Sequence, residues 1–419
     1  MAKVLDYRAT VRACFLGNLL QSCGAIFSIL FVPLRTLYGL TYTQFAVLLS
    51  IDFIVQVCSD VLFSKPVEKY GFRPFAVMSP VLSSTGLLLF ALAPVLFPGN
   101  LFFGLCLGIF VFAAAAGLQE LLLSPILDAL PIPAEEKAKK MSLLHSFFAW
   151  GQIGAVLITT AMVWFMKAKL WQLIVIIWAI MPLVNVWLFS RVPLPVKVAP
   201  DKAMTLKQLF TSRLFIIVLL GIIFGGATEV TMAQWASTFI EKGLNLPKLL
   251  GDMLGVCGFS LMLGIGRTMY GIHGDKISIH KVMIIGAACA FVLYLVAGAS
   301  GNPFICMAAC ALTGLCASML WPGSITIASR ELPLAGASMF ALMSAGGDLG
   351  SSAASFVVGR IADTIEAMGI TSFLGSVVTS EQAGLRIGLC CSALFAAISF
   401  CINIVVYRMV KKAHPGEKL

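Results

Sequence analysis

Charge is what this chain has least of. Only 11% of its 419 residues are Asp, Glu, Lys or Arg, against about a quarter in soluble domains. No polar interval is long enough to build a second, water-facing domain, as a sensor would carry. Histidine is scarce too, at four, and His-Glu-x-x-His is absent, as is any convincing Ser/His nucleophile pair. The glycines of "GIGRTMYG", Gly264 to Gly271, lie in an apolar helical run with no strand before them. They are therefore no phosphate loop, and an ATP-driven pump is disfavoured. None of the 12 cysteines has metal-ligand spacing with a nearby His. They read as free buried thiols packing as small hydrophobes. The expectation is a protein that is not an enzyme and uses no cofactor and no metal.

Apolar residues are what is present, at 59%, with 37 glycines. Small residues let membrane helices approach closely. Apolar runs of about 20 residues, the length that spans a bilayer, recur twelve times: 11–33, 43–64, 74–96, 101–125, 141–165, 170–191, 213–239, 250–271, 281–300, 303–327, 335–362 and 385–409. The first is too long for a signal-peptide core and reads as a membrane helix. The net charge of +10 could point to nucleic acid. The basic residues instead sit in short clusters between runs, which is how topology is encoded. With both ends cytoplasmic, 22 of the 29 basic residues lie inside, so that orientation in a cell inner membrane is expected.

The longest polar interval follows the sixth run. It divides the chain into a six-helix half 1–192, a cytoplasmic linker 193–212 and a second six-helix half 213–419. The halves rhyme. "SKPVEKYGFRP" follows the second run and "GIHGDKISIHK" the eighth. Each has a small residue, an acid four positions on and a base beside it: Ser64/Glu68/Lys69 and Gly271/Asp275/Lys276. A short charged loop at the same place in each half signals a duplicated unit. The fold class expected is all-α, twelve transmembrane helices in two pseudo-symmetric halves.

This pattern resembles the major facilitator superfamily, whose loop between helices 2 and 3 reads Gly-x-x-x-Asp-Arg-x-Gly-Arg-Arg. Glu68, Lys69, Gly71 and Arg73 stand in the matching places, with Ser64 for the first glycine. Within it the chain looks like the fucose–galactose–glucose:proton symporter branch. "QELLLSPILDALP" is similar to that branch's helix-4 segment, an acid five residues before proline. "MSLLHSFFAWGQIGA", "GGATEVTMAQWASTFI" and "LWPGSITIAS" resemble its segments in helices 5, 7 and 10. The first run carries Asn18 and Gln21 where such symporters carry an acid, and His145 stands where Gln is frequent. The resemblance implies alternating access, a monomer in lipid, and small solute and protons as partners, without nucleic acid.

A charged side chain at mid-bilayer costs about 2.5–3.5 kcal/mol on insertion scales, so each acid there needs a cavity, a partner or a proton. Asp52, Glu120, Glu229 and Asp348 are acids set well inside runs. The resemblance gives Glu120 a coupling role, with Pro125 freeing the backbone one turn on. Glu229 and Asp348 are the further candidates for proton coupling. Asn18, Gln21, Gln152, Gln234 and Trp235 are the candidates for solute binding, because amides meet hydroxyls and an indole covers an apolar ring face. Amides also bridge helices with no ligand, and Asn185 is read that way. Asp60 is placed with Glu68, Lys69, Gly71, Arg73, Gly271, Asp275 and Lys276 in the gating loops. Arg267 is placed near the inner end of the eighth run. With no central cation, a neutral or cationic solute is favoured over an anion. The function expected is proton symport of a small neutral polar solute, a sugar first. The alternative is a proton-coupled exporter of drugs or metabolites, kept open by 30 Phe and 18 Met.

Overall fold

Inside a bilayer no water satisfies the backbone, so spanning segments close their hydrogen bonds internally as helices. The computed structural model, which describes residues 7–40, 42–195, 204–247 and 250–415, is helical in nearly every apolar run. In the first half run α1 (Arg8–Gln21), α2 (Ala25–Tyr38), α3 (Tyr42–Tyr70), α4 (Phe72–Leu96), α5 (Leu101–Asp128), α6 (Ala134–Met166) and α7 (Trp171–Arg191). A short α8 (Leu206–Thr211) precedes α9 (Arg213–Thr238), α10 (Gly258–His273), α11 (Ile279–Ala299), α12 (Pro303–Ala317), α13 (Leu320–Glu331), α14 (Gly336–Ala367) and α15 (Ser380–Ala413). A two-residue hairpin, Ser372–Phe373 with Ser376–Val377, joins the last two; Gly375 turns it at φ 80°.

Among the described residues nine spans are long and apolar enough to cross a membrane. The stretch α1–α2 is helical from 8 to 38, and α3 and α14 hold 29 and 32 residues. Each exceeds the about 20 residues a bilayer asks. All twelve expected runs fall on helical chain, but three are interrupted where hydropathy gives no warning. A 3-10 turn at Ser22–Gly24 parts α1 from α2, a π-type stretch Gly251–Cys257 leads into α10, and the tenth run breaks between Ala317 and Leu320. The fifth helix starts seven residues early, on the polar turn with Glu135 and Glu136; acids there suit the helix N-terminus. The last starts at Ser380, where Thr379 and Gln382 form a capping box. Lys3, Lys418 and, in the expected linker, 196–203 lie outside the described residues.

The chain packs as two compact units. One holds Met1–Ile132, Phe147–Met204 and Leu334–Ala345; the other holds Pro133–Ser146, Thr205–Pro333 and Gly346–Leu419. Helices α6 and α14 therefore each contribute to both. In the first unit Phe27 packs on Phe90 and Phe112 at ring distances of 4.8 and 5.2 Å, and Trp171 edges onto Phe90. Gly86 brings α4 against α5: a Cβ there would meet the Gly108 oxygen at 2.8 Å and overlap the Phe112 nitrogen. In the second, Tyr294 is fully buried and its hydroxyl donates to the Thr228 carbonyl at 2.7 Å.

Overpacking a close helix contact costs about 1–3 kcal/mol. Gly86→Leu should therefore lower the thermal unfolding midpoint in detergent by several degrees. Gly99→Ala, where a Cβ meets nothing within 4 Å, should leave it in place. Equal midpoints would refute the packing account.

Candidate functional site

The second unit is organised around Arg267 on α10. Its guanidinium is 3% exposed, and its Nη2 donates to both oxygens of Glu229 on α9, at 2.6 and 2.8 Å. Its Nε donates to the Ser318 carbonyl at 3.0 Å and its Nη1 to the His145 carbonyl at 3.2 Å. Ser142 donates back to the Arg267 carbonyl at 2.6 Å and contacts Met319 sulfur at 3.3 Å. One side chain thus ties the start of α6, α9, and the break between α12 and α13. The Ser318 carbonyl is free to accept because of sequence. Pro322, four residues on, has no N–H to give it, and Arg267 supplies the missing donor.

This corrects the sequence reading of Arg267 as a helix-end residue. It is the buried cation of the second unit, and its charge is matched by Glu229. His145, which stands where the resembling symporters frequently carry Gln, is also buried.

The first unit carries an amide cluster. The Gln119 amide on α5 donates to the Gly17 carbonyl of α1 and accepts from Ser79 at 3.2 Å. Asn185 of α7 lies beside them, 1% exposed: a Cβ on Gly17 would stand 3.0 Å from both amide nitrogens. Next to Gln119, Glu120 takes a hydrogen bond from Gln21 Nε2 at 3.3 Å. The structure thus brings two expected residues, Gln21 and Glu120, into contact, with Asn18 buried one turn before Gln21. Gln152 is half-buried on α6.

On α9 the expected trio separates. Glu229 is buried in its ion pair, Trp235 is half-buried with its ring 3.4 Å from where a Gly359 Cβ would sit, and Gln234 is exposed. Asp348 is buried on α14, beside Gly347, on which the Trp321 ring packs. Gln119, Ser79, Ser142, Ser318 and Trp321 were not read as functional. Only Ser318 had a signal, the proline four residues on.

The rhyming loops do matching work. Glu68 accepts from the Ser338 N–H at 2.9 Å and its hydroxyl at 2.6 Å, in the first turn of α14. Those N–H groups lack intrahelical partners, and an anion suits them. Asp275 pairs with Lys139 at 3.1 Å, near the start of α6. Gly271 makes room: a Cβ there would overlap Leu143 and sit 3.2 Å from the Lys139 oxygen. In each half, then, the loop acid holds the start of the other half's fifth helix. Arg73 donates to the carbonyls of Phe189, Ser190 and Val192 at 2.9–3.0 Å, capping the C-terminus of α7. Gly71 turns the chain from α3 to α4 at φ 85°, a conformation that favours glycine. Lys69 lies over the Tyr70 ring, Lys276 is exposed, and Asp60 is buried on α3.

Long apolar helices, a duplicated plan and ionised groups inside the span define a polytopic membrane carrier. The family model of the Major Facilitator Superfamily matches residues 14–355, and the chain belongs to that superfamily, whose members are transporters and not enzymes. No curated protein matches the sequence. Among solved structures, FucP, a superfamily transporter in the outward conformation, aligns with a TM-score of 0.76 at 16% identity, covering 95% of this chain and 98% of its own. Another FucP structure is described as the Escherichia coli fucose:proton symporter. The proton:xylose symporter XylE aligns at 0.78 and 13% identity, covering 94% of each chain. A bacterial homologue of iron transporter ferroportin, in an outward-facing state, aligns at 0.73 and 12%, covering 95% and 99%. Carriers described by such different cargoes share this fold, so the likeness establishes the architecture and not the solute.

Removing one partner of a buried pair costs about 3–5 kcal/mol. Arg267→Met should lower the unfolding midpoint sharply, and Arg267→Met with Glu229→Gln should recover most of it. A double variant no better than the single would show that the pair is not the source of the loss. At the loop, the hydrogen bond from Lys139 holds the Asp275 carboxyl below its ordinary range, with the Lys139 and Lys276 charges adding to it. A depressed carboxyl stabilises the contact above the ordinary carboxylate range and releases it as pH falls through the lowered value. Spin labels at positions 138 and 274 should therefore give a narrow distance distribution at neutral pH that broadens only in acid. Asp275→Asn should give the broad one throughout.

Proposed function

We propose that this transporter carries a small neutral polar solute, a sugar first, together with protons across a cell inner membrane by alternating access, with both termini cytoplasmic. The observation that carries the reading is the contact between Glu120 and the neutral amide of Gln21, next to the amides of Gln119 and Asn185, with Asn18 buried one turn before Gln21. Amides of that kind exchange hydrogen bonds with hydroxyls at little electrostatic cost, and the acid beside them is the group assigned the proton. Glu229 differs. Its charge is fixed by Arg267, so coupling is assigned to Glu120, with Asp348 second, and Glu229 to holding Arg267. Neutrality of the solute no longer rests on the absence of a central cation. It rests on that cation being already matched, so an anion finds no free partner there. The sugar symporters among the structural neighbours support the same direction.

A second reading, proton-coupled export of a lipophilic cation, draws on the Phe15–Phe147 ring stack at 4.9 Å on α1 and α6, a face suited to an apolar or cationic ring.

Liposomes holding the protein and a pH-sensitive dye separate the two. Addition of sugars should acidify the lumen, and Glu120→Gln should abolish that acidification while solute exchange persists. Proton movement driven by lipophilic cations and by no sugar would replace symport with export. Sugar exchange without proton movement in the unaltered protein would remove the coupling role of Glu120.

A further inference from the structure

Helices α11 and α12 meet at a glycine. A Cβ on Gly286 would overlap the carbonyl oxygen of Cys316, so the two backbones touch at that level. Cys289 follows Gly286 by three residues and leaves α11 from the same face. The Cys289 and Cys316 side chains are close enough to interact across that contact. Both are free, Cys289 exposed and Cys316 half-buried. Other cysteine neighbours lack this combination. Cys306 and Cys310, one turn apart on α12, are both buried. Cys390 and Cys391 are consecutive on α15, and consecutive helical residues do not face each other.

We propose that Cys289 and Cys316 form a dithiol site for soft, thiophilic ligands of the trivalent arsenical class. Thiol sulfur is the soft donor in a protein, and two on separate helices can close a ring on one arsenic. With phenylarsine oxide, two arsenic–sulfur bonds form and the arsenic–oxygen bonding is lost. The oxygen leaves as water with both thiol protons, and no oxidation state changes. Because the second sulfur attacks within the same molecule, the pair gains the effective concentration that a lone thiol lacks. The site also has a mechanical consequence. Cys316 lies two residues before Ser318, whose carbonyl Arg267 holds, so a bridged ligand pins α11 to the segment just ahead of the break in the tenth run.

Intact-mass measurement on the full chain in detergent tests this with phenylarsine oxide as the probe. One phenylarsenic group should be retained against excess monothiol and released by 2,3-dimercaptopropanol. Peptide mapping should find it joining the fragments that contain Cys289 and Cys316. Cys289→Ala and Cys316→Ser should each cut retention by about a hundredfold, and Cys390→Ser should not. Cys289 is exposed, so Cys289→Ala keeps the fold and decides the matter if Cys316→Ser misfolds. No retention against monothiol, or retention unchanged in Cys289→Ala, overturns the assignment.

Discussion

The second unit depends on one buried guanidinium. A charge removed from water must be matched in charge and in hydrogen bonds, and a match on one count alone leaves a cost of several kcal/mol. Arg267 meets both. Glu229 neutralises it, and the Ser318 and His145 carbonyls take its remaining directions. These partners come from three stretches far apart in sequence. The need to satisfy one side chain therefore fixes how α6, α9, α10 and the break after α12 approach each other. A proline that removes a donor and an arginine that replaces it make the break affordable at that one place.

A second constraint is at the helix ends. Each unspliced helix start leaves N–H groups without partners and each end leaves carbonyls. The two charged loops use this. Glu68 reaches the start of α14, Asp275 the Lys139 near the start of α6, and Arg73 the last carbonyls of α7. The Asp275–Lys139 pair lies at half-exposed and exposed positions, where ion pairs are individually weak. Weakness suits groups that part and re-form during a transport cycle, whereas the Arg267 pair, buried and bidentate, suits a fixed frame.

Much of this was legible in the sequence, for a physical reason. Bilayer thickness sets the length of an apolar run, so the runs from 74–96 to 385–409 fall on helices. The rhyme of Ser64/Glu68/Lys69 with Gly271/Asp275/Lys276 is a rhyme of contacts as well. Helix interruptions were not legible, because Ser22–Gly24 and Ala317–Leu320 keep the hydropathy of the helices around them. The polar first turn of α6 was missed for the opposite reason, since Glu135 and Glu136 look like loop. Arg267 was misread because one sequence shows which residue is charged but not which carbonyls and carboxylates surround it. The pairing of Gln21 with Glu120, 99 residues apart, is likewise a fact of packing between α1 and α5.

The contrast between the two acids bears on what a carrier of this build can exchange. For an anionic solute to use Arg267, it would have to displace Glu229, and the displaced carboxylate would stand buried and unmatched. That cost is of the order of the pair itself, about 3–5 kcal/mol, and few small solutes bring enough new contacts to offset it. At Glu120 the exchange is different in kind. A hydroxyl that displaces Gln21 replaces one neutral donor with another, and such swaps differ by only about 1 kcal/mol. A proton arriving on Glu120 changes it from acceptor to donor, which alters what the neighbouring amide and any bound hydroxyl must do. In the coupling proposed here, proton and solute would be linked through Glu120, without any change in the ion pair that holds the second unit together.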